Sequence, residues 1–112
     1  MKLTEETVVN VAVVAPVGRL DSATSPTLGA RLEELAGVPE GHLVLDLAGV
    51  DFVSSAGLRV ILAATKRARA ARTIMIVCGI QPPVREVLDV SGFTALLTIH
   101  ADRDSAVRAL SA

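Results

Sequence analysis

Two adjacent serines, Ser54 and Ser55, stand between apolar stretches in Val50-Asp51-Phe52-Val53-Ser54-Ser55-Ala56-Gly57-Leu58. A serine hydroxyl accepts a hydrogen bond from a first-turn N–H, so the pair can open a helix. The preceding run, Leu43, Val44, Leu45 and Leu47 broken only by Asp46, has the pattern of a strand covered on both faces. The hydroxyls would then sit at the positive end of a helix dipole, at the carboxyl edge of a central strand. Open α/β sheets commonly place their chemistry there, and such a helix start favours anions. On residue chemistry alone the commoner role for either serine is the cap.

The other chemistry-bearing side chains point to weaker sites. Asp21, Ser22 and Thr24 lie in Gly18-Arg19-Leu20-Asp21-Ser22-Ala23-Thr24-Ser25-Pro26, which fits an Asx-type turn leading into a helix. Asp46, an acid within an apolar strand, is expected to hydrogen-bond the backbone of a neighbouring loop, and Asp51 to serve a turn. His42 and His100 have no Cys, Asp or Glu at ligand spacing, so no metal is expected. Cys78 reads as a small core residue. The chain has neither form of glycine-rich phosphate loop. Phe52-Val53 precedes the serines where a hydrolase elbow needs glycine, which argues against an enzyme.

The elements that would position these residues follow from periodicity. Leu3–Val9 and Val11–Val17 read as strands joined at Asn10, with Pro16 at an edge or bulge. A helix begins at Thr24 or Ser25, with Pro26 in its first turn, and buries Leu28, Leu32 and Leu35 before Gly37. After the serines a long helix carries Leu58, Ile61, Leu62 and Thr65 on one face and closes with Arg67 to Arg72. Thr73–Cys78 is a second buried strand. A helix from Gln81 carries Val84, Val87, Leu88 and Val90 and stops at Gly92. Leu96–His100 is a short strand, and Asp102 to Ser105 open a last helix with Val107 and Leu110. One core is expected to hold Leu45, Leu47, Phe52, Leu58, Ile61, Leu62, Ile74, Ile76, Val87 and Leu88. The alternation implies an α/β fold with a mixed, mostly parallel sheet.

Leu45-Asp46-Leu47-Ala48-Gly49-Val50-Asp51-Phe52-Val53-Ser54-Ser55-Ala56-Gly57-Leu58 and the residues after it resemble the signature of STAS domains, in particular the bacterial anti-anti-sigma factors, or anti-sigma factor antagonists. In that family an aspartate precedes the acceptor serine. Here Ser54 stands at the aspartate position, Ser55 at the acceptor position, and Ala56-Gly57-Leu58 complete the motif. The resemblance implies a single STAS domain over residues 1–112, of about five strands with about four helices packed on them. It implies phosphorylation of Ser55, and a partner-binding surface made of Asp21, Ser22, Thr24, Ser54, Ser55, Ala56, Gly57 and Leu58. The implied partners are an anti-sigma factor that is a serine kinase and a serine phosphatase that reverses it. No cofactor is implied. A non-switching accessory or scaffold subunit, of a lipid-transport ABC system or a stress-signalling complex, is the alternative. There Ser55 would act only as a cap.

Composition agrees with a regulatory domain. At 112 residues the chain can bury roughly two thirds of its surface in one core. Hydrophobic residues make up 51% and charged ones 21%, a globular balance. A net charge of −1 argues against a nucleic-acid footprint. The first ten residues carry two glutamates and no signal-like apolar segment, and no run is long enough for membrane insertion. A single cysteine suits a reducing compartment, so the expected location is the cytoplasm.

Overall fold

A computed structural model of the chain describes residues 1–111. Its longest strand, β2 (Val11–Leu20), organises the sheet. β1 (Lys2–Val8) runs antiparallel along one edge of β2, joined through Val9 and Asn10, with Val9 at φ 59°. Along the other edge β2 receives two strands in succession. β3 (His42–Asp46) pairs in parallel with Ala12–Val14, and β4 (Gly49–Val53) with Val17–Leu20. β5 (Ile74–Cys78) follows β3 in parallel, and β6 (Ile99–His100) follows β5. The sheet is therefore mixed and mostly parallel, with six strands.

Pro16 explains how one strand can serve two partners. It lies inside β2 and not at an edge, between the last β3 pair at Val14 and the first β4 pair at Val17. Its missing N–H falls where no neighbouring strand is paired on that side, so no ladder bond is broken there. Gly49 lets β4 rejoin at this point, since a Cβ there would stand 2.9 Å from Val17 Cγ2 and 3.1 Å from the Pro16 carbonyl oxygen.

Helices cover both faces. α1 (Ser25–Ala36), α2 (Ser55–Ala71) and α3 (Pro82–Val90) share one face with Leu28, Leu32, Leu58, Ile61, Ala64, Val84 and Leu88 packed on Val14, Leu20, Leu45 and Val77. α4 (Arg103–Ser111) covers the other face alone, where Ala106 meets Val11, Val13, Val44, Ile76 and Cys78. Because a strand alternates its side chains, the single expected core is in fact two, and Ile76 belongs to the α4 side.

Several expected core residues lie outside both clusters. Phe52 and Ile74 are 37% and 51% exposed. Leu62 is only half-buried, because α2 turns Gly57, Leu58, Ile61, Ala64 and Ala68 inward and so shifts the buried stripe by one position. Leu96 sits in a 3-10 turn, Thr94–Leu96, and the last strand begins only at Ile99. Burial pushes the Cys78 thiol up to about 12, with the nearby Asp46 charge adding to the effect.

Candidate functional site

Three backbone features converge where β2 and β4 end together. β2 finishes at Leu20 and β4 at Val53, cross-paired. The Ser54 N–H then donates to the Leu20 carbonyl at 2.9 Å, which ties the start of α2 to the β2 end. Gly57 makes the approach close: a Cβ there would stand 2.7 Å from Val53 Cγ2, 2.8 Å from Leu20 Cγ and 2.9 Å from the Leu20 carbonyl oxygen.

The two serines have different environments. Ser54 is the N-cap of α2, in extended geometry, and its Oγ accepts from the Gly57 N–H at 3.4 Å. Ser55 is the first helical residue, exposed, and its hydroxyl makes no hydrogen bond among the described residues. Ala56 beside it is half-buried, whereas Gly57 and Leu58 face the core. Those two position the turn and present little surface of their own. No acidic side chain occupies the first turn of α2, so its positive end is locally uncompensated.

The Asp21 loop lies beside this start, because Leu20 joins both. Asp21 Oδ1 accepts from the Ala23 N–H at 3.0 Å and the Thr24 N–H at 3.1 Å. The Thr24 hydroxyl donates to the Arg19 carbonyl at 2.7 Å and accepts the Asp21 N–H at 3.0 Å. Thr24 takes the N-cap position of α1 without capping it; its hydroxyl is engaged upstream. Ser25, almost fully buried, bonds the Asp21 carbonyl, and Ser22 is exposed at the tip. The Thr24 N–H is the main reason the Asp21 carboxyl is held below its ordinary value. The loop is thus rigid through Asp21, and only the other carboxylate oxygen is left toward solvent.

Charged groups elsewhere fasten the scaffold. Asp46 accepts the Ala48 N–H at 3.0 Å, as expected of it, and also the Arg103 Nε–H at 2.9 Å. Arg103 reaches on to Glu6 at 2.6 Å, so one side chain joins β1, β3 and α4. The Arg103 link was not foreseen, because nothing in the spacing relates residues so far apart in sequence. Arg67 Nε–H donates to the Glu33 carbonyl at 3.2 Å, binding α2 to the end of α1. No cluster of three or more His, Cys, Asp or Glu among the described residues could hold a metal ion. Nor is any helix among them long and apolar enough to cross a membrane.

The mixed, mostly parallel sheet with helices on both faces agrees with what the sequence matches. Residues 2–106 match the family model described as the STAS domain. This chain belongs to the STAS family. A protein of Bordetella bronchiseptica called BtrV, an anti-sigma factor antagonist by its name, is 35% identical over 109 residues, covering 97% of this chain and 94% of that protein. An anti-sigma F factor antagonist of Paenibacillus polymyxa is 34% identical over 102 residues, 90% of this chain and 85% of the relative. Among solved structures, an anti-sigma factor antagonist from Mycobacterium paratuberculosis superposes with a TM-score of 0.86 at 25% identity, covering 99% of this STAS chain and 94% of that one. By family the chain therefore belongs with the anti-sigma factor antagonists. The relatives carry no enzyme name.

Proposed function

We propose that this STAS domain is a phosphorylation-controlled switch that acts in the cytoplasm. Unmodified, it binds an anti-sigma factor that is also a serine kinase, and so releases a sigma factor. The kinase then transfers the γ-phosphoryl group of its ATP to the Ser55 oxygen. The Oγ–P bond forms as the bond to the β-phosphate oxygen breaks, the hydroxyl proton passes to a base of the kinase, and ADP leaves. A serine phosphatase restores the hydroxyl by hydrolysis. The surface engaged by the partner is Ser55, Ser54, Ala56 and the Asp21–Thr24 loop, with Gly57 and Leu58 holding the turn in place.

The observation that carries this reading is the division of labour between the two serines. Ser54 already caps α2, which leaves the exposed Ser55 hydroxyl without a structural role. A phosphate on Ser55 would meet the free N–H groups and dipole of the α2 start, so the domain need not unfold to accept it. It would nevertheless add about −1.5 to −2 charges at the contact, which the partner must desolvate or repel.

The test is to present the parent, Ser54→Ala and Ser55→Ala to each purified anti-sigma factor kinase of the source genome with ATP, and to locate phosphate by mass spectrometry. Labelling that is lost in Ser55→Ala and only reduced in Ser54→Ala is the expected result. Binding of a kinase without labelling of Ser55 would instead support a constitutive accessory subunit. The change of the family aspartate to Ser54 favours that second reading.

A further inference from the structure

The end of the sheet next to Ser55 carries an aromatic that the core does not use. Phe52 and Phe93 are the only aromatic residues in the chain. Phe93 packs against the three-helix core, whereas Phe52 is 37% exposed. Phe52 pairs across the strands with Arg19, whose guanidinium carbon lies 3.9 Å from the ring centroid. Strand alternation puts Arg19 on the α4 side of the sheet, but α4 packs on Val11, Val13, Val44, Ile76 and Cys78, at the other end of β2. Beside the pair, Val17 is also exposed.

The Arg19 guanidinium is held but unsatisfied. Its side chain is 63% exposed, and its nearest acid, Asp21 Oδ2, stands 4.0 Å from Nε. The other Asp21 oxygen is engaged by two loop N–H donors, and the Arg19 side chain makes no hydrogen bond among the described residues. Stacking on a ring fixes the plane of a guanidinium while leaving its N–H edge open. That edge matches a planar oxyanion in two parallel hydrogen bonds, and prior stacking lowers the entropy lost on binding. Arg and aromatic residues are also the types that concentrate interface energy.

We propose that Arg19, seated on Phe52, is a second recognition point beside Ser55 that takes a carboxylate of the anti-sigma factor. The inference rests on the anti-sigma factor reading above. Its placement supports it: Arg19 adjoins Leu20, whose carbonyl binds the Ser54 N–H, and Phe52 precedes Ser54 by two residues. Arg19 and Phe52 project to the α4 side and Ser55 opens a helix on the other face, so a partner that covers Ser55 meets the stacked pair by reaching round the shared end of β2 and β4. Selection by charge follows, because a partner with a basic residue at that point would be repelled.

Titration of the purified anti-sigma factor kinase with the parent, Arg19→Lys, Arg19→Ala, Arg19→Glu and Phe52→Ala tests it, with thermal melts of each sample. Arg19→Ala should weaken binding about tenfold and Arg19→Glu further, with Arg19→Lys between them and the parent, at unchanged melting temperature. Phe52→Ala should weaken binding comparably, and its combination with Arg19→Ala should add little, since the two act as a unit. Raising salt should weaken the parent more steeply than Arg19→Ala, a comparison that stands even if Phe52→Ala unfolds. Equal affinities of parent and Arg19 variants would overturn the inference alone. An Arg19 effect seen only with ATP on the kinase would assign the oxyanion to the nucleotide and overturn it too. A parent that binds no anti-sigma factor would overturn the functional reading and this inference with it.

Discussion

Replacing Gly57 with alanine sets two known effects against each other. In an ordinary helix the change gains about 1 kcal/mol, because alanine is the better helix former. At this site the new methyl carbon would stand 2.7 Å from Val53 Cγ2, 2.8 Å from Leu20 Cγ and 2.9 Å from the Leu20 carbonyl oxygen. A side chain can rotate away, but the carbonyl belongs to β2 and holds the Ser54 N–H. Overpacking of this kind costs about 1–3 kcal/mol, so the helix gain is at least offset and a net loss of up to about 2 kcal/mol is expected. In a domain of this size that lowers the melting temperature by roughly 4 °C per kcal/mol. The α2 start must lift from the sheet, which moves Ser55, so phosphoryl transfer from the kinase should slow as well. Urea denaturation and initial rates of Ser55 labelling measure the two consequences. A Gly57→Ala protein more stable than the parent, by the roughly 1 kcal/mol of an ordinary helix position, would refute the close approach.

Three other outcomes follow from the same packing. Ile61→Ala should destabilise by about 2–4 kcal/mol, and Leu62→Ala by less than about 1.5 kcal/mol, because only Ile61 lies in the core; equal losses in denaturation would mean that the helix faces are misassigned. Ser55→Asp should keep or slightly raise the melting temperature, by the roughly 0.3–1 kcal/mol that an acid contributes at a helix start, while losing the anti-sigma factor in a binding titration. Asp21 is held below its ordinary 3.8 chiefly by the Thr24 N–H, so its contribution is present above that pH and is lost as pH falls through the lowered value. Melts of Asp21→Asn should therefore show a smaller acid-side decline than the parent, and an equal decline would place the acid sensitivity elsewhere.

Periodicity and turn chemistry are enough for the helices and for five strands, whereas β4 (Gly49–Val53) makes a sixth that the expected five did not include. β-branched runs mark β1 and β2, and Pro26, Pro82 and Gly92 mark helix ends. What sequence order hid was pairing between distant strands. The division of β2 between β3 and β4 makes Pro16 an internal residue and turns Phe52 out to solvent beside Arg19, and neither follows from a local window. The buried stripe of α2 was misplaced for a related reason. Leu62 is as apolar as Ile61, and only the docking angle imposed at Gly57 decides which faces the sheet. At the candidate site, the serine pair and the Asp21 loop were visible as residues. Which hydroxyl is bound and which is free emerged only from the Ser54–Gly57 cap.

In the proposed switch, charge on Ser55, and not a change of fold, governs partner binding. Its most direct measurement is a titration of the purified anti-sigma factor kinase with two samples of this domain, unmodified and stoichiometrically phosphorylated at Ser55, each checked by thermal melting. The unmodified sample should bind tightly and phosphorylation should lower affinity at least about tenfold, with both samples folded. Equal affinity in the two samples, or a loss that tracks unfolding of the phosphorylated one, would contradict the switch.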